Sequence, residues 1–144
     1  MYDVDIYVDI SSHAPQKMCR KYGCVLSCVS ASGDPVTLEI FGGCEGTGHH
    51  CFMQALAAAL ARMKKGSCLC LHGSDSYILG MIDNHLEGWA GNGFLDARGN
   101  PLKNRETWET LWELLKPHDY HVAYGVHEYT EWLRSELARE SQGS

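Results

Sequence analysis

The stretch densest in reactive side chains is "CEGTGHHC", residues 44–51, where Cys44, His49, His50 and Cys51 offer the thiolate and imidazole ligands that zinc favours. Their spacing is not that of a zinc finger, and a structural zinc is not expected there. Cys24 and Cys28 lie four apart on an expected strand, about 13 Å between Cα atoms, too far to share an ion. Cys68 and Cys70 face the same way, but they read as part of an apolar core strand. His127, in "YGVHEYT", stands alone in a loop, where a histidine is more often solvated than catalytic. Seven cysteines leave at least one unmatched in any disulfide scheme. In a reducing cytosol all are expected as thiols, packed mostly as small apolar groups.

The elements that must position such groups follow from pattern. A chain of 144 residues, 44% hydrophobic and 21% charged, fits one globular domain, read as residues 1–140 with a frayed tail at 141–144. Its formal net charge of -6 weighs against a duplex-binding surface, which needs clustered Lys and Arg. "MYDVDIYVDI" alternates apolar and acidic residues and resembles no signal peptide. No stretch approaches the ~18 apolar residues of a membrane span, so a cytoplasmic protein without membrane association is expected. Period-two alternation marks strands at 4–9, 23–30 and 36–41, with the turn "SGDP" between the last two. Residues 42–50 read as a glycine-rich loop. The Ala, Leu and Met run from Phe52 to Met63 predicts a helix, ended by "KKG". A short strand at 68–73 precedes a helix carrying Tyr77, Ile78, Met81, Ile82 and Leu86 at helical spacing. "AGNGFLDARGNP" breaks the pattern. A helix at 104–115 places Trp108, Leu111, Trp112 and Leu115 on one stripe, "YHVAYGV" is a strand, and "TEWLRSELARE" is the last helix. The order is βββαβααβα.

That order, with "IYVDISS" and "YGCVLSC" as first strands, "MQALAAAL" in the first helix, "SDSYILGMI" at a helix start, "GWAGNGFLDARGNPLKNRETW" and the closing "SELAR", resembles type 1 and retroviral ribonucleases H. The resemblance covers about the whole chain. It implies an α/β, ribonuclease H-like fold: a five-stranded mixed sheet with helices on both faces. It also implies an RNA–DNA hybrid as substrate and two Mg²⁺ ions about 3.5–4 Å apart. Such hard cations need several carboxylate ligands, which the family supplies from the first strand, the first helix, the start of the second helix and the last helix.

By the family's spacing Asp9 matches the first of these carboxylates, while Phe52, Ser74 and Ser135 stand at the other three. Asp75 and Glu136 each lie one residue beyond the matching place, and Glu45 lies in the loop before the helix. One helical residue turns a side chain through about 100°, which points Glu136 away from the old site. Asp75 can serve a metal, but it reads better as a helix N-cap. Asp9 reads as a vestige more than as a catalyst. Arg98 is the only cation in the segment where active relatives grip DNA, although Lys103 and Arg105 follow. His127 lies near the family's mobile histidine, in a shorter loop.

The expectation is therefore a ribonuclease H-like domain with a degenerate two-metal site, inactive and reused for binding. The acidic balance and aromatic-rich helices favour a protein partner over an RNA–DNA hybrid, with Trp89, Trp108, Trp112 and Trp132 mostly in the core. No cofactor is expected. The alternative is a divergent endonuclease that uses Asp9, Asp75 and Glu45 or Glu136 with Mg²⁺ or Mn²⁺ to cut the RNA strand of hybrids.

Overall fold

Alternation in the first strand sets the architecture. In β1 (Tyr2–Ile10) the side chains of Val4, Ile6 and Val8 enter the main core, while Asp5, Tyr7 and Asp9 point to the opposite sheet face. The computed structural model describes residues 2–29, 32–63, 66–125 and 127–142. Strands β2 (Met18–Val29) and β3 (Pro35–Gly46) pair antiparallel beside β1, while β4 (Ser67–Gly73) and β5 (Asp119–Tyr124) add in parallel on its other side. The result is a five-stranded mixed sheet ordered β3-β2-β1-β4-β5, as expected from the sequence.

Helix α1 (Gly48–Leu60) covers one face and buries Phe52, Met53, Ala55, Leu56, Ala59 and Leu60. Thr47 caps it by accepting the His50 backbone N–H at 3.2 Å. On the same core lie α2 (Ser76–Asn84), α3 (Leu86–Asn92) and α4 (Arg105–Leu115), the last through Trp108, Leu111 and Leu115. Trp108 is buried, and Trp89 and Trp112 pack partly buried against that core. Helix α5 (Thr130–Gln142) lies on the other face, where Leu133 packs with Tyr7 and Val25, flanked by Phe41, Tyr129 and Trp132. Among the described residues it packs on β1 and β2, while Cys70 and His72 on the same face of β4 stand half-buried.

Several boundaries differ from the sequence reading. β2 begins at Met18, and residues 42–46 are the end of β3 rather than loop: Gly42 pairs with Tyr22, and a Cβ there would lie 2.5 Å from the tyrosine ring. Gly42 makes room for a cross-strand aromatic instead of breaking the strand. Glu45 is consequently a strand residue, paired with Cys19. A third helix before α4 makes the order βββαβαααβα. It stops at Gly93, whose φ of 80° is the left-handed conformation that glycine adopts freely. Helix α1 ends at Leu60 without cations in its last turn; Lys64 and Lys65 of "KKG" fall outside the described residues. α5 runs on to Gln142, past the boundary placed at 140. Cys68 and Cys70 are not core residues: Leu69 and Leu71 take the core face, and both cysteines stand half-buried on the other. Among the described residues no helix is long and apolar enough to cross a membrane.

Candidate functional site

Asp9 lies near the end of the central strand with its side chain buried, and both of its carboxylate oxygens have partners within the chain. Oδ1 accepts the Ile10 backbone N–H at 2.9 Å and lies 2.9 Å from His13 Nε2, and Oδ2 accepts from Arg134 Nε at 3.3 Å. A carboxylate only accepts, so the His13 tautomer that fits carries its proton on Nε2. The buried acid thus faces a guanidinium and an imidazole of its own chain.

Both partners are held by the fold. His13 belongs to the loop between β1 and β2, and that loop is clamped by buried Arg20. The Arg20 guanidinium donates to the carbonyls of Ser12 at 2.8 Å and Gln16 at 3.0 Å, and also to those of Ala14 and Gly46. Among the described residues no carboxylate pairs with it; four carbonyl dipoles take its charge instead. Gly48 lets the same loop approach α1, since a Cβ there would lie 3.1 Å from the Ala14 carbonyl oxygen. Arg134 extends from the first turns of α5 beside Ser135.

The three non-acidic residues that the sequence comparison set beside Asp9 lie as follows. Phe52 is fully buried in α1, and its ring fills the space over the end of β4, where a Cβ on Gly73 would lie 2.5 Å from Phe52 Cζ. Ser74 reaches His13 Nε2 with Oγ at 3.3 Å. Ser135 is exposed on α5. Asp75 is buried as the N-cap of α2, accepting the Ile78 backbone N–H at 3.1 Å through Oδ1, while Oδ2 lies 2.7 Å from His49 Nδ1. His49 in turn rests on the Tyr77 ring, 4.8 Å between centroids. His13, His49, Ser74, Asp75, Tyr77 and Arg134 border one cleft of about 300 Å³. Glu136 pairs with Arg139, and Glu45 borders a separate cleft with Cys44 and Arg20.

His127 is half-buried rather than solvated. Its Nδ1 accepts the Tyr129 backbone N–H at 3.1 Å, and its ring lies 4.9 Å from that of Tyr7. Burial pushes its pKa down and neighbouring His72 adds to this, against a backbone bond to Val8 and the charges of Asp9 and Glu128. The neutral ring is held on both sides, as a fixed strut. Arg98, Lys103 and Arg105 are exposed, and Arg105 pairs with Glu109 at 2.8 Å.

The cysteine-rich segment does not converge. His49 points to Asp75, and His50 packs over Gly46. The Cys51 thiol donates to the Cys44 carbonyl and the Cys44 thiol to that of Glu45; burial, followed by the neighbouring Cys51 thiol, pushes the Cys44 thiol up to about 12. Among the described residues, the one group of three or more His, Cys, Asp or Glu ligand atoms within 4.8 Å of one another is Asp5, Cys70 and His72. Sequence reasoning missed it by assigning Cys70 to the core. It also missed Arg20, His13 and Arg134, whose partners lie up to 125 residues away, and the pairing of His49 with Asp75.

The RNase H family model matches residues 1–126. The ribonuclease H of Brucella anthropi is 34% identical over 106 residues, covering 71% of this chain and 69% of its own. That of Albidiferax ferrireducens is 33% identical over 97 residues, covering 67% and 61%. The aligned region thus spans about two thirds or less of several such relatives' length. Among solved structures, LC9-RNase H1, a type 1 enzyme with the type 2 active-site motif, superposes with a TM-score of 0.76 at 14% identity, covering 99% of this chain and 74% of that one. RNase H1 of Halobacterium salinarum gives 0.62 at 20% identity, with 98% of each chain covered. A foamy viral protease-reverse transcriptase, solved with an RNA/DNA hybrid, gives 0.62 at 14% identity over 99% of this chain and 20% of its own.

Proposed function

The chain belongs to the ribonuclease H family, and from that membership we propose that its two-metal centre is degenerate, that it does not cleave RNA–DNA hybrids, and that it works by binding. The observation that carries this reading is the surroundings of Asp9. Two Mg²⁺ ions need several carboxylate oxygens between them. Here Arg134 and His13 already face the Asp9 carboxylate, and Phe52, which family spacing sets where the first-helix acid is expected, is a fully buried aromatic ring. A metal would have to displace a tethered guanidinium and would meet an aromatic ring in return.

The partner is proposed to be a protein, because the net charge is -6 and Arg98 is the lone cation in the segment where active relatives grip DNA. The tryptophans are largely engaged in packing, so the argument rests on charge. A nucleic-acid partner draws its support from the foamy viral neighbour solved with a hybrid. A shift assay at low salt with hybrid, duplex and single strands separates the two; retardation of any of them overturns the protein assignment. Thiol cysteines suit a reducing, cytoplasmic setting.

The second reading, a divergent Mg²⁺- or Mn²⁺-dependent endonuclease, draws on relatives named Ribonuclease H and on the hydrogen-bonded link from Asp9 through His13 to Ser74, the residue before Asp75. End-labelled hybrid incubated in Mg²⁺ and in Mn²⁺ decides. The expected result is no cleavage by the wild type; cleavage that vanishes in Asp9→Asn establishes the nuclease instead.

A further inference from the structure

On the sheet face that carries α5, one thiol, one imidazole and one carboxylate converge. Asp5 on β1 pairs directly with Cys70 on β4, so both side chains leave the sheet on the same side. His72, two residues further along β4, turns back so that Nε2 lies 2.8 Å from Asp5 Oδ1. All three ligand atoms fall within 4.8 Å of one another. We propose that Asp5, Cys70 and His72 form a Zn²⁺ site separate from the Asp9 cleft.

The chemistry of the donor set points to this ion. Thiolate with imidazole suits zinc and excludes Mg²⁺ or Ca²⁺, which take oxygen ligands. Around tetrahedral zinc, bonds of about 2.0–2.3 Å place ligand atoms roughly 3.3–3.7 Å apart. The Asp5–His72 pair must open and the thiol must close by about an ångström, which side-chain rotation supplies. The backbone need not move, because β1 and β4 are interior strands with neighbours on both sides. His72 is already oriented: its ring stacks on Tyr7 at 4.4 Å and 20°, and the Tyr7 hydroxyl donates to Glu128 at 2.7 Å.

On binding, the Cys70 thiol gives its proton to solvent and its sulfur bonds the metal, while neutral His72 changes tautomer, its proton passing through solvent from Nε2 to Nδ1, so that Nε2 and the Asp5 carboxylate both face the ion. With three half-buried protein ligands, the fourth position belongs to water. Asp5 lies four residues before Asp9, about 13 Å along the strand. Occupancy is therefore independent of whether the Asp9 cleft holds a metal.

Chelator-treated, reduced full-length protein is titrated with Co²⁺ and then Zn²⁺. One equivalent of cobalt is expected to give a thiolate-to-cobalt charge-transfer band that zinc abolishes. Cys70→Ser removes the band, and Asp5→Asn or His72→Gln weakens binding at least about tenfold. The band persists when Cys44 and Cys51 are both changed to serine. Absence of the band in wild type overturns the proposal, and so does a band that survives Cys70→Ser. Far-ultraviolet circular dichroism verifies folding, and if Cys70→Ser fails to fold, retention of full affinity in both Asp5→Asn and His72→Gln overturns it.

Discussion

Phe52 and Gly73 make the most direct test at the scale of single residues. The phenylalanine is fully buried, so Phe52→Ala should cost about 4 kcal/mol in urea unfolding. Gly73→Ala forces a methyl group into the ring and should cost about 2 kcal/mol. In a Phe52→Leu background the same alanine should cost clearly less. Equal costs in both backgrounds would show that the ring does not occupy that space. His118 sets a pH dependence: its Nδ1 accepts the Ser67 backbone N–H at 3.0 Å, which only the unprotonated ring can do, and burial lowers its pKa. His127 shifts in the same direction. As pH falls below the ordinary histidine value of about 6.5, the unfolded chain takes up these protons first, so stability is lost down to the folded-state pKa. The urea midpoint should therefore fall between about pH 7.5 and about pH 5.5, and less steeply in His118→Asn.

At the scale of elements, the loop between β1 and β2 depends on β2 through one side chain. Arg20→Met would leave the carbonyls of Ser12, Ala14, Gln16 and Gly46 without their donor. The expected cost is about 3 kcal/mol, a melting point lower by roughly 10 °C by calorimetry. A change of a degree or less would mean that the clamp is not what holds the loop. Elements differed in how well the sequence announced them. β1 alternates cleanly, and the apolar run of α1 has no breaker, so both were readable. The end of β3 was not, because Gly42 and Gly43 read as loop until the Tyr22 ring is known to lie across Gly42. α3 hid in a glycine-rich stretch whose seven residues lack a long apolar stripe.

For the molecule as a whole, the Asp9 site was half legible. Family spacing singled out Asp9, and the structure shows it as a buried acid on the central strand. The groups that neutralise Asp9 come from a loop and from the last helix, and nothing local in the sequence ties Arg134 to a residue 125 positions earlier. That tether has a thermodynamic consequence. An empty cluster of acids repels itself, and a folded protein carrying one gains stability when magnesium arrives. Here the counterion is part of the polypeptide, and adding about 10 mM Mg²⁺ should move the melting point by less than about 1 °C. A cation fixed by peptide bonds cannot be chelated, diluted or exchanged, so this corner of the fold should be indifferent to the magnesium supply around it.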